Sequence, residues 1–118
     1  MDKIRVVHYI NQFFAGIGGE EKADIPPEIR PGTVGPGSAL QAGLGDEYEV
    51  VATAICGDSH FGAHMDEDTE TLLNMIAEYK PQLFVAGPAF NAGRYGVACG
   101  NIAKSVEEKF NIPVITGM

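Results

Sequence analysis

The stretch QLFVAGPAFNAGRYGVACGNIAKSVEEK, residues 82–109, decides the fold. Its first six residues are a short apolar run closed by Gly87-Pro88, the pattern of a parallel strand buried on both faces. Beyond a polar loop, Ala98, Ile102, Val106 and Phe110 recur every fourth residue, which predicts a helix with one apolar face. Gly93, Gly96 and Gly100 fall at the start of that helix, where a missing Cβ lets backbone approach a neighbour or a ligand. The free N–H groups of a helix start favour an anion, and Asn91, Arg94 and Tyr95 are the side chains best placed to contact one. No GxGxxG follows the strand and no GxxxxGK[ST] occurs, so the two common nucleotide fingerprints are excluded.

Outward from this unit the same alternation repeats. Ile4 to Ile10 is β-rich and reads as the first strand, Glu49 to Cys56 as the second, and Pro113 to Thr116 as the fourth. A short helix is expected after Gly35-Pro36-Gly37-Ser38, with Leu40 and Leu44 inward and Gly45 as its stop. Another is expected from about Asp66 to Tyr79, with Thr69, Leu72, Leu73, Ile76 and Tyr79 on its inner face. Residues 11–34 form a long connection without a regular pattern, extended in its proline-rich second half. This order implies right-handed crossovers and one α/β domain over residues 1–118, an open parallel sheet of about four strands with flanking helices. The expected strand order is the flavodoxin-like, Rossmann-like 2-1-3-4. One helix would then cover one face and two the other, with the fourth strand left bare, so the chain reads as half of a larger protein and the isolated chain is expected to self-associate.

The net charge of −8 argues against nucleic acid or an anionic membrane as a general partner. No run approaches the length of a membrane span and no signal-type apolar stretch opens the chain, which gives a cytoplasmic expectation. Cys56 and Cys99 form no CxxC or zinc-type spacing and read as buried thiols, with a nucleophilic Cys99 near a helix start as the alternative. Asp58, His60, His64 and Asp66 are possible metal ligands, but Gly62 is expected to break the segment that carries the histidines. No metal site is expected. The acidic run Asp66-Glu67-Asp68 reads instead as a device at the positive end of a helix.

In a 2-1-3-4 sheet the connection reverses between the first and third strands, and ligands bind beyond the carboxyl ends at that point. The reversal brings Asn11, Gln12 and Phe13 against Asn91, Arg94 and Tyr95, and places loops 11–22, 57–62 and 87–95 on one edge. A small-anion or nucleotide-binding module without catalysis fits these loops as well as an enzyme fragment does.

The loops also carry a longer pattern. HYINQFFAGIGGEEKAD (8–24), VGPG (34–37), VVATAICGD (50–58), AGPAFNAGRYGVACG (86–100) and IPVITGM (112–118) resemble the start of the selenoprotein B subunit of glycine/sarcosine/betaine reductases. The resemblance covers nearly the whole chain. It implies a substrate-specific protein B of a complex that reductively cleaves the C–N bond of glycine or an N-methylated glycine, ending in acetyl phosphate. The implied partners are a pyruvoyl-bearing subunit of protein B, the small selenoprotein A and the acetyl-phosphate-forming component C. The family's selenocysteine is expected downstream, and this chain contains none, so no cofactor is expected in this segment. For an amino acid substrate, Arg94 is the candidate for the carboxylate, and Glu20, Glu21 and Asp58 for the ammonium. Phe13, Phe14 and Tyr95 are possible walls around a quaternary betaine. These residues do not choose among the three substrates.

Overall fold

The first β-rich segment becomes the centre of the molecule because apolar residues occupy both its faces. In a computed structural model, which describes residues 3–12, 14–87 and 93–116, it forms β1 (Ile4–Asn11), buried from Val6 onward. There follow β2 (Glu28–Pro31), α1 (Gly37–Leu44), β3 (Tyr48–Cys56), α2 (Asp58–Ala63), α3 (Met65–Ala77), β4 (Leu83–Ala86), α4 (Gly93–Phe110) and β5 (Val114–Thr116). The described residues form one sheet in the order β2-β3-β1-β4-β5. Its four parallel strands, β3-β1-β4-β5, reproduce the expected 2-1-3-4 order.

Right-handed crossovers then dictate the layers. The chain moves one way across the sheet through α1 and the other way through α3 and α4, so these helices fall on opposite faces. Val7, Tyr9, Ala54 and Phe84 meet Phe61, Leu72, Ile76, Ile102 and Val106 of α2, α3 and α4 in the larger core. On the other face Val6, Val50, Leu83 and Val85 pack with Leu40 and Leu44 of α1 and with Ile4 and Tyr48. Ile115 of β5 remains 50% exposed.

Four expectations need correction. The sheet is mixed, because Glu28–Pro31 pairs antiparallel with β3 instead of remaining an unpaired extended segment. At the sheet edge a proline costs no ladder bond that the strand needs, so Pro31 is tolerated there. Residues 57–62 are not a loop: Gly57 is extended and α2 starts at Asp58, running through Gly62 to Ala63. Arg94 lies within the first turn of α4, not in a turn before it. At Gly100, moreover, a Cβ would meet nothing within 4 Å, so close approach does not explain that glycine.

The long connection after β1 is tied down at two places where side chains are excluded. Gly35 has φ +56, and a Cβ there would collide with the Phe14 carbonyl. Gly57 has ordinary backbone angles, but its Cβ would collide with the Ala23 carbonyl and lie 2.7 Å from the Ile25 nitrogen. Around that contact Gly57 N–H donates to the Ile25 carbonyl at 3.1 Å, and Ser59 N–H to the Ala23 carbonyl at 2.7 Å. Gly57→Ala is therefore expected to destabilise the fold by about 1–3 kcal/mol, the cost of forced overpacking. Gly62→Ala, in open space on the same helix, should be neutral or stabilising by up to ~1 kcal/mol. Equal denaturant midpoints for the two variants would contradict this packing.

Candidate functional site

The carboxyl ends of the parallel strands place Asn11 beside Cys56 and Tyr9 beside Ala86. Asn11 and Gln12 are buried, so their amides must find partners inside the protein. Asn11 Nδ2 donates to Asp58 Oδ2 at 2.9 Å, and its Oδ1 accepts from the Phe14 N–H at 3.0 Å. Gln12 Oε1 accepts from the Asp58 N–H at 3.2 Å, while Nε2 donates to the Gly19 carbonyl at 3.3 Å. Asp58 is itself only 9% exposed. These residues cross-brace the end of β1, the loop after it and the start of α2.

Of the sequence candidates, Asn11, Gln12 and Asp58 thus converge, with one another as partners. Glu21 is exposed and accepts from the Gly19 N–H at 3.0 Å, and its carboxyl is held below the usual range by backbone hydrogen bonds from its own N–H and that of Gly19. Phe13 and Asn91 lie outside the described residues, and Glu20, Arg94 and Tyr95 are described as backbone only. The first turn of α4, carrying Arg94 and Tyr95, follows β4, and α4 packs against α2. The edge therefore gathers the 14–22 loop, α2 and the start of α4.

Two features were not anticipated from the sequence. The first is His8, 1% exposed, whose Nε2 lies 2.5 Å from the Gly87 carbonyl. A carbonyl only accepts, so Nε2 carries the proton and Nδ1 presents a lone pair, which has no partner among the described residues. Burial holds the imidazole pKa below its usual value, against the raising effect of the Gly87 bond. His8 lines a largely apolar cavity of about 370 Å³ with Pro36, Ala39 and Leu40 of the α1 side and Val85, Gly87 and Ile115 of the sheet. The signal for it in the sequence was a polar residue between Val6 and Ile10 on one strand face.

The second is a cluster around Asp68. This residue lies in the first turn of α3, as expected of the acidic run, but it is 3% exposed and its Oδ2 lies 2.6 Å from His60 Nδ1 and 3.6 Å from Cys56 Sγ. Nor are the histidines separated by a broken segment: the His60 and His64 ring centroids are 4.6 Å apart across the α2–α3 corner. Burial, then the charge of Asp68, pushes the Cys56 thiol far above its ordinary range. Cys99 is buried as well, as expected for a structural thiol. Among the described residues no helix is long and apolar enough to cross a membrane.

Residues 3–118 match the family described as glycine/sarcosine/betaine reductase selenoprotein B. Three relatives come from one organism, Peptoclostridium acidaminophilum. The sarcosine reductase complex component B subunit beta is 68% identical over all of this chain and 27% of its own length. The glycine reductase complex component B subunit gamma is 54% identical with the same coverages. The betaine reductase complex component B subunit beta is 47% identical over 97% of this chain and 26% of its own length. The chain thus spans about a quarter of the length of these relatives. No solved structure matches it.

The buried histidine makes a pH prediction. Its folded-state pKa lies below the ordinary 6.5, so below that pH the unfolded chain binds more protons than the folded one. Stability should be unaffected by His8 above pH ~6.5 and fall as pH drops towards the depressed value, by up to about 1.4 kcal/mol per unit. His8→Gln should remove that part of the acid slope. Identical slopes for the wild type and the variant, measured by denaturant unfolding between pH 7 and pH 5, would show that the ring titrates normally.

Proposed function

Because the chain belongs to the glycine/sarcosine/betaine reductase selenoprotein B family, we propose that it is the N-terminal portion of the substrate-specific component B subunit of a sarcosine reductase complex. The observation that carries the choice of sarcosine is the comparison within one organism. There the sarcosine, glycine and betaine relatives are 68%, 54% and 47% identical to this chain. Three proteins from the same cell share one distance from this chain's source, so species distance does not account for the differences, which supports the sarcosine reading.

In this reading the carboxyl edge of the sheet forms half of a substrate site, and the remainder of the subunit and its partners complete it. Arg94, in the first turn of α4, supplies a guanidinium for the substrate carboxylate, joined by the free N–H groups of the helix start. Asn91 and Tyr95 are the further side chains assigned to the same contact. Glu20 and Glu21, on the loop braced by Gln12, are the acceptors for the amine, with Phe13 as a further substrate contact. Asp58 holds that loop and α2 in place through Asn11, and its other role, as an amine acceptor, is secondary to this. The C–N bond is cleaved reductively in the assembled complex. The pyruvoyl-bearing subunit, selenoprotein A and component C supply the chemistry that carries the two-carbon unit to acetyl phosphate, and the selenocysteine belongs to the part of the subunit beyond this chain.

Two experiments test this reading. A complex reconstituted with the full-length subunit should form acetyl phosphate from sarcosine in clear preference to glycine and betaine; a preference for either of the others would overturn the assignment. In the same assembly, Arg94→Ala should weaken substrate use by some tens- to thousands-fold, about 2–5 kcal/mol, with little change in melting temperature. Normal turnover by Arg94→Lys would defeat the carboxylate role, since lysine cannot reproduce a two-bond guanidinium contact. So would an Arg94→Ala variant that melts earlier but binds substrate normally.

A further inference from the structure

Cys56 ends β3, His60 lies on α2 and Asp68 sits in α3, so three separate elements direct a thiol, an imidazole and a carboxylate to one point. One donor atom from each, the Cys56 sulfur, a His60 ring nitrogen and an Asp68 carboxylate oxygen, lies within 4.8 Å of the other two. Asp68 is buried, and its carboxylate contacts the side chains of His60 and Cys56. A buried carboxylate is costly unless it is paired or coordinated. This one has no lysine or arginine in its ion pair.

Sulfur, imidazole nitrogen and carboxylate oxygen together are the donor set of a borderline-soft divalent ion. Bonds of ~2.3 Å to sulfur and ~2.1 Å to oxygen in a tetrahedron set the S···O edge at about 3.6 Å. The observed Cys56 Sγ to Asp68 Oδ2 distance is 3.6 Å. The His60 to Asp68 contact of 2.6 Å is that of a shared proton, and it would open to about 3.4 Å when a metal replaces that proton. His60 has freedom to make this move, since its side chain is 25% exposed. Charge also balances: a dication with one thiolate, one carboxylate and a neutral imidazole is electrically neutral, which suits a buried corner.

We propose that Cys56, His60 and Asp68 bind a zinc(II)-type cation through Sγ, Nδ1 and Oδ2, with water in the fourth position on the exposed side of His60. Binding displaces the thiol proton and the proton shared by His60 and Asp68 to solvent, and involves no change of oxidation state. The ion clips the end of β3 to the α2–α3 corner. Metal binding there does not depend on the choice of substrate.

The full chain, stripped of metal and kept reduced, is titrated with Co(II) as a spectroscopic stand-in for Zn(II). One ion per chain should bind with a sulfur-to-cobalt charge-transfer band and the intense visible bands of a tetrahedral site, and Zn(II) should displace it. Cys56→Ser should lose the charge-transfer band, His60→Gln should bind roughly tenfold or more weakly, and Cys99→Ser should behave as wild type. His60→Gln is the variant least able to disturb folding, because its side chain is partly exposed. An absent band in the folded wild type, a band that survives Cys56→Ser, or unchanged affinity in His60→Gln would each overturn the proposal.

Discussion

A strand buried on both faces leaves no water for its polar groups, and that constraint on β1 organises this protein. The strand can bury Val6, Val7, Tyr9 and Ile10 in two layers, but His8, Asn11 and Gln12 go inside with them. Each must then be answered by protein. Asn11 and Gln12 are answered by Asp58, by the backbone of Phe14 and by the Gly19 carbonyl. His8 is answered by the carbonyl of Gly87, where β4 ends. The polar residues of one central strand therefore fix the connections that leave the carboxyl edge of the sheet.

Much of this was legible beforehand because it rests on patterns with a physical period. The buried run before Gly87 and the fourfold spacing after it gave the β4–α4 unit. Alternation of such units gave the order of the parallel strands, and handedness gave the single helix on one face. What escaped reading lacked such a period. Glu28–Pro31 is a strand only because the edge of β3 was open, and Pro26, Pro27 and Pro31 pointed away from that reading. Asp68 looked like its acidic neighbours, and only the α2–α3 corner turns it inward to His60. Glycine at 62 suggested a break, but in an exposed turn of α2 it meets nothing.

The site was legible as a region more than as a list of contacts. Topology brought Asn11, Gln12 and Asp58 to one edge with the start of α4, yet the amides bond to the protein itself. A buried amide in a strand must satisfy its own donors and acceptors before it can serve a ligand. Those residues are better understood as the frame that sets the loop after β1. Glu21, exposed on that loop, and Arg94, carried on the first turn of α4, are the groups proposed to meet the substrate. The thinly covered face, with Ile115 half exposed beside the His8 cavity, accords with a chain that spans about a quarter of its relatives' length.

The central claim is that substrate meets the carboxyl edge of this sheet, and amide hydrogen exchange of the full-length subunit in its complex reads that edge directly. Adding sarcosine should slow exchange in residues 14–22, at the start of α2 and in the first turns of α4, with the connections at the opposite edge, 45–48 and 80–82, unchanged. Protection confined to the opposite edge, or no change anywhere in this segment at saturating sarcosine, would contradict it.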